Sequence, residues 1–145
     1  MMTLQERLNT LKPDAIVSVV DDDASVRRSL GRLLKSMGFE VQTYSSAMEF
    51  LHNGPLHAYG CAIIDVRMPG MSGLDLQKKL LADRVRLPVV IISALEDNGI
   101  QAQALETGAL AFLQKPFSDP SLLEALCLAL EHCKRPTLQN GNNGR

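Results

Sequence analysis

The chain predicts an α/β fold: a doubly wound, five-stranded parallel sheet in the order 2-1-3-4-5. Three observations carry this. From residue 14 onward, short apolar runs alternate five times with segments of helical period. Three of the runs, IVSVV, CAII and PVVII, are nearly continuous in Val and Ile, as strands buried on both faces of a parallel sheet are. The connections are short, so each helix folds back onto the sheet in a right-handed crossover, and that order is the commonest five-stranded solution.

Residues 1–13 form a lead-in. Leu4, Leu8 and Leu11 fit a short amphipathic helix, but one of this length is marginal alone in water. The expectation is a frayed end, with a docked helix as the alternative. The strands are expected at residues 15–20, 39–43, 60–65, 87–92 and 109–113. Between the first two, Val26, Leu30, Leu33, Leu34 and Met37 make one apolar stripe, with Arg27, Arg28, Arg32 and Lys35 mostly outside it, and Gly38 stops the helix. A second short helix covers residues 46–51. Ser72 caps a third, running to about Asp83. A weaker fourth spans residues 96–107, where Asn98 and Gly99 lower the propensity and Gly108 ends it. In the last, Leu122, Leu126, Leu130 and Cys133 recur at helical spacing behind a cap at Ser118 or Asp119. Residues 134–145 are polar and rich in Gly and Asn, a flexible tail or the start of a linker.

Composition narrows the function. The 145 residues are 46% hydrophobic and 21% charged, which suits one folded domain spanning residues 14–133. Fifteen basic against sixteen acidic residues leave a net charge of −1, without the basic footprint of a nucleic-acid-binding domain. No Trp, two Tyr and four Phe offer little for base stacking. No apolar run approaches the ~20 residues of a membrane span, and no secretory h-region opens the chain. Cys61, Cys127 and Cys133 lack metal-site spacing and read as reduced thiols of a cytoplasmic protein.

In a doubly wound sheet, ligands sit at the carboxyl ends of the strands. The first strand runs into Asp21, Asp22 and Asp23. Such hard oxygen donors suit Mg²⁺, although alone they fit a solvated turn with a helix cap equally well. The third strand ends in Asp65, followed by the Gly-rich turn MPGMSG; the fourth ends in Ser93; the fifth is followed by Gln114-Lys115-Pro116, whose Lys-Pro bond suits a cis geometry. Singly each is weak. Together they make a phosphoryl site: carboxylates for a metal, an ammonium for phosphoryl oxygens, a hydroxyl donor, and Asp65 as a nucleophile that can form an acyl phosphate.

The motifs VVDDDASVRRSL, IIDVRMPGMSG, VVIISA and FLQKPF, in that order, resemble the receiver domain of two-component response regulators, of the flavodoxin/CheY-like fold, and the DVRMPGMSGLDL wording is most similar to the FixJ-like subgroup. The resemblance implies Asp65 as phosphoacceptor. It implies Asp22, Asp65 and the main-chain carbonyl of Arg67 as Mg²⁺ ligands, and Asp21 as an acid that binds the metal through water. Which of Asp21, Asp22 and Asp23 coordinates directly depends on register. Ser93 resembles the switch hydroxyl, Lys115 the lysine that pairs with the phosphoryl group, and Phe112 the aromatic switch residue, here without a Tyr hydroxyl.

The function implied is a bacterial signalling receiver, not an enzyme beyond its own phosphoryl transfer and autodephosphorylation. The donor is a sensor histidine kinase, a phosphotransfer protein or a small phosphodonor. The output is a downstream target protein or a C-terminal domain beyond this chain, with homodimer formation on phosphorylation, and it passes through the face of the fourth helix, fifth strand and last helix. Arg67 and Leu95 flank the path of attacking water; an apolar Leu95 cannot orient it, so slow autodephosphorylation is expected. The basic first helix reads as a solvated face or kinase contact. A haloacid-dehalogenase-type phosphatase would need an Asp where Arg67 stands, and a flavodoxin would not put three Asp at its phosphate loop. The remaining alternative is a pseudo-receiver, an interaction module that is never phosphorylated.

Overall fold

A computed structural model of the chain describes residues 1–94 and 98–133. Its elements run α1 (Leu4–Leu11), β1 (Ile16–Val20), α2 (Ala24–Ser36), β2 (Glu40–Tyr44), α3 (Ala47–Asn53), β3 (Gly60–Asp65), α4 (Gly73–Ala82), β4 (Val89–Ser93), α5 (Asn98–Glu106), β5 (Ala111–Gln114) and α6 (Asp119–Glu131). The five strands form one parallel sheet in the order β2-β1-β3-β4-β5, as the alternation predicts. The three continuous apolar runs are its interior strands: β3 and β4 are buried throughout and β1 from Val17 on. Each feeds two cores. Val17, Val19, Cys61, Ile63, Val90 and Ile92 face α1, α2 and α6. Val20, Ala62, Ile64, Val89 and Ile91 face α3, α4 and α5.

Four strands begin later than their apolar runs, β1 by a single residue, and for the other three the hydrogen bonds give the reason. Gly38 at φ +93° and Gly108 at φ +98° end α2 and α5 in left-handed turns. The next N–H groups close those turns: Phe39 donates to Leu34 O at 3.1 Å and Ala109 to Ala104 O at 3.0 Å. Phe39 and Ala109 thus belong to helix stops, and β2 and β5 start beyond them. In the fourth run Pro88 has no N–H for the ladder; its carbonyl accepts from Ala62 at 3.0 Å, and β4 starts at Val89.

The lead-in is a docked helix, not a frayed end. Thr3 and Glu6 form a reciprocal capping box at the start of α1. Leu8 is fully buried against α6, with Leu4 and Leu11 packed on the same core. Arg7 pairs with Glu131 at 2.8 Å, and the Tyr59 hydroxyl donates to Leu11 O at 2.8 Å. Tertiary burial supplies the stability that eight residues lack in isolation. The tail expected at residues 134–145 lies outside the described residues.

Candidate functional site

The carboxyl ends of β1, β3, β4 and β5 bring Asp21, Asp22, Asp65, Ser93 and Lys115 to one edge of the sheet. Asp21 is 1% exposed and Asp65 6%, whereas Asp22 is exposed. Their carboxylates each offer an oxygen such that all three lie within 4.8 Å of one another. Lys115 Nζ reaches between two of them, 3.2 Å from Asp21 and 3.4 Å from Asp65. The third residue of the acidic run has a different task. Asp23 is the N-cap of α2, its carboxylate accepting from the N–H and hydroxyl of Ser25 at 2.9 and 2.8 Å, and these bonds hold its carboxyl below the ordinary value.

Backbone bonds brace the edge. The Asp23 N–H donates to Asp21 Oδ1 at 2.9 Å, leaving the other Asp21 oxygen to Lys115. Ser93 is 2% exposed, at the last residue of β4, and its carbonyl accepts from the Lys115 N–H at 2.7 Å, so the hydroxyl and ammonium residues are tied together directly. The Lys115-Pro116 bond is cis. Phe112, opposite Ile91 in the ladder, is half-buried against the core under α3, α4 and α5. Arg67 is exposed, while Leu95 and Glu96 lie outside the described residues.

Two contributors take their roles only in three dimensions. Arg27 donates from Nη1 to the Asp21 carbonyl at 2.7 Å, which turns one residue of the basic helix toward the site. Gly73 opens α4 with its N–H on the Val66 carbonyl at 2.9 Å, and a Cβ there would lie 2.2 Å from the Asp65 carbonyl oxygen. The Gly in MPGMSG are signals of a tight turn. Only the three-dimensional approach separates Gly70, needed for φ +81°, from Gly73, needed for closeness.

Electrostatics make the edge a poor place for anions and a good one for a dication. Burial, then the neighbouring Asp21 charge, push the Asp65 carboxyl up to about 6, against the partial relief that Lys115 gives. Burial alone would lower the Lys115 ammonium, but Asp65 and Asp21 raise it on balance, so it stays charged near neutrality. Three carboxylates outnumber the two cations beside them, the Lys115 ammonium and the Arg27 guanidinium, and an all-oxygen donor set suits a hard divalent cation. Among the described residues this is the single acidic group that can do so.

The family model for the response regulator receiver domain matches residues 17–127. Nodulation protein W of Bradyrhizobium diazoefficiens is 41% identical over 121 residues, covering 83% of this chain and 53% of that protein. The transcriptional regulatory protein TdiR of Thauera aromatica is 46% identical over 114 residues, 79% of this chain and 50% of its own length. The chain therefore spans about half the length of these curated relatives. Among solved structures, the crystal structure of FixJ-N superposes with a TM-score of 0.80 at 36% identity, over 85% of this chain and 98% of that one. The response regulator StyR gives 0.77 at 44% identity, over 81% and 60%.

Proposed function

Since this chain belongs to the response regulator receiver-domain family, we propose that it is a phosphorylation-dependent receiver whose acceptor is Asp65. The observation that carries this reading is the Asp21–Asp22–Asp65 cluster bridged by Lys115 at 3.2 and 3.4 Å. A carboxylate oxygen of Asp65 attacks the phosphorus of a phosphohistidine on a sensor kinase or phosphotransfer protein, or of a small acyl phosphate. A new O–P bond forms, the P–N or P–O bond to the donor breaks, and imidazole or carboxylate leaves with the electron pair. The Asp65 carboxyl is mostly ionised at pH 7, as an attacking oxygen must be. Lys115 meets the negative charge of the transferring group from the side of β5.

Asp21, Asp22, Asp65 and the Arg67 carbonyl would hold a Mg²⁺ ion. When bound, it supplies the positive charge that offsets the carboxylates and polarises phosphoryl oxygens. Asp21, the most buried of the acids and already occupied by Lys115 and the Asp23 N–H, suits contact through water. Asp22, exposed, suits direct contact.

The product carries extra charge and acceptor oxygens, to which the Ser93 hydroxyl and the Lys115 ammonium donate. Motion of Ser93 toward the phosphoryl group vacates space that the half-buried Phe112 ring turns into. The face of α5, β5 and α6 then changes shape for a target protein, a second copy or an output domain. Its setting is the cytoplasm, where the thiols stay reduced.

The test is acid-labile phosphate uptake from acetyl phosphate with Mg²⁺. Wild type should label, and Asp65→Asn should not while keeping its circular dichroism. Undiminished labelling of Asp65→Asn would remove Asp65 as acceptor, and no labelling of the wild type would favour a pseudo-receiver.

A further inference from the structure

The opposite edge of the sheet, where the strands begin, has the reverse chemistry beside β3 and β4, while Asp14 and Glu40 stand at the starts of β1 and β2. A cleft of about 430 Å³ opens there between the α3–β3 loop, the α4–β4 loop and the end of α6. Its polar lining includes His57, Arg84, Arg86 and His132, and among the described residues no carboxylate contributes to it. Leu56 and Leu87 give it an apolar flank. Neither guanidinium has an acidic partner within 4.0 Å among the described residues; the nearest acid in sequence, Asp83, is paired with Lys79 at 3.2 Å. The His132 Nδ1 contacts the Leu128 carbonyl at 2.9 Å. A carbonyl only accepts, so that nitrogen carries the proton and Nε2 is the ring's remaining hydrogen-bonding atom.

The backbone adds an independent pointer. Three helices end in the same turn, with the N–H two residues beyond the cap reaching back: Phe39 to Leu34, Val85 to Leu80 and Ala109 to Ala104. The left-handed residue is Gly38 in the first and Gly108 in the third, but Arg84, at φ +60°, in the second. A Cβ is strained at that position, and glycine satisfies the same hydrogen bonds without strain. The chain carries a strained arginine at one helix stop of three, and its side chain lines the basic cleft. Residues held in this region cluster at functional sites, and of the two non-glycine residues that adopt it among those described, Asp14 and Arg84, the second lines the basic cleft.

We propose that this cleft is an anion site for a small molecule bearing a diphosphate-type group, separate from the acidic edge. Two permanent guanidinium charges flanked by two imidazoles exceed what one carboxylate offsets, and planar guanidinium forks fit phosphoryl oxygens bidentately. The cleft has the size of a nucleotide-scale ligand site. Leu56 and Leu87 would meet the uncharged part of such a ligand. Arg86 and Leu87 lead into β4, which ends at Ser93, and His132 caps α6; the ligand would thus bridge the strand that carries Ser93 and one helix of the output face.

The experiment is a ¹H–¹⁵N titration of the full chain in EDTA, which keeps Mg²⁺ out of the acidic edge, with inorganic pyrophosphate and then ADP as probes. Saturable amide shifts around residues 57, 84, 86 and 132 are expected, with affinity weakened at least about tenfold in Arg84→Gly and in Arg86→Gln. Arg84→Gly should melt no lower than wild type, because glycine relieves the turn, so lost binding cannot be ascribed to unfolding. No saturable shift below roughly 10 mM, a range weaker than the millimolar reach of a few contacts, would overturn the proposal. So would equal affinities of wild type and both variants. Binding of poly-glutamate but not of pyrophosphate would also overturn it, in favour of an acidic protein partner.

Discussion

Asp65→Asn should stabilise the metal-free protein, and the size and pH dependence of the gain follow from the site. The carboxyl sits at about 6 in the folded chain against an ordinary value of 3.8. At ~1.4 kcal/mol per decade, that difference makes ionisation in the folded state cost roughly 3 kcal/mol. That cost already contains the relief from Lys115 at 3.4 Å, and in the variant Lys115 keeps Asp21 at 3.2 Å. The gain is therefore on the order of 2–3 kcal/mol, and at roughly 3 °C per kcal/mol for a chain of this size the melting temperature rises by about 6–9 °C. The sign with pH is fixed by linkage. Below the unfolded value of 3.8 both states carry a neutral carboxyl and the variant gains nothing. As pH rises toward about 6 the folded state holds its proton longer than the unfolded one, wild-type stability falls relative to the variant, and the gap is complete above pH 7.

The assay is thermal unfolding of both proteins in EDTA from pH 4 to 8, followed by the same series with Mg²⁺. Mg²⁺ at 100 times its dissociation constant should add about 2.7 kcal/mol to the wild type and much less to a variant lacking one carboxylate. A variant no more stable than wild type at pH 8, or a gap that does not change between pH 4 and 7, would refute the claim that the ionised Asp65 is held at a cost.

Three further outcomes follow from other residues. Leu8→Ala empties a fully buried position between α1 and α6 and should cost about 2–4 kcal/mol in urea unfolding; a cost under ~0.5 kcal/mol would mean that α1 is not docked in solution. Gly73→Ala places a Cβ 2.2 Å from the Asp65 carbonyl, so α4 must shift; phosphoryl uptake from acetyl phosphate should fall at least about tenfold, and unchanged uptake would show that the turn yields freely. With a thiol-specific chromogenic reagent, half-buried Cys133 should react first, while Cys61, whose thiol burial pushes up to about 12, and buried Cys127 should wait for denaturant; rapid loss of all three native thiols would contradict the packing.

What the sequence made legible was periodicity and chemistry at strand ends; what it hid was approach between distant segments. The three buried strands announced themselves because a strand covered on both faces has no polar alternation to confuse the pattern. Asp21, Asp22, Asp65, Ser93 and Lys115 were readable because the fold rule says which end of each strand to inspect. Phe39 and Ala109 misled because the residue that closes a helix stop is also apolar, so hydrophobicity alone gives it to the next strand. The Thr3–Glu6 capping box stands in plain letters, yet eight residues taken in isolation make only a marginal helix. Its burial depends on Leu126, Leu130 and Glu131, more than a hundred residues away. Arg27 and Gly73 acquire their roles only through distances to Asp21 and Asp65.

The opposite charges of the two sheet edges have a common root in the topology. In a parallel βα alternation, α2, α4 and α6 begin in the loops that leave β1, β3 and β5, so their positive ends lie toward the acidic edge. Their caps there are Asp23, Ser72 and Ser118. Each helix terminus carries only about half a charge, which eases the burial of Asp21 and Asp65 without neutralising it. The raised Asp65 carboxyl is the measure of what is left over. At the other edge the negative ends of α4 and α6 favour cations, and Arg84 and His132 sit at those two ends. Two half-charges account for about one positive charge, whereas the cleft there carries the two guanidinium charges of Arg84 and Arg86. The helix ends thus explain the sign of each edge but not its excess, and in both cases the excess calls for a ligand of opposite charge: a dication above, an anion below.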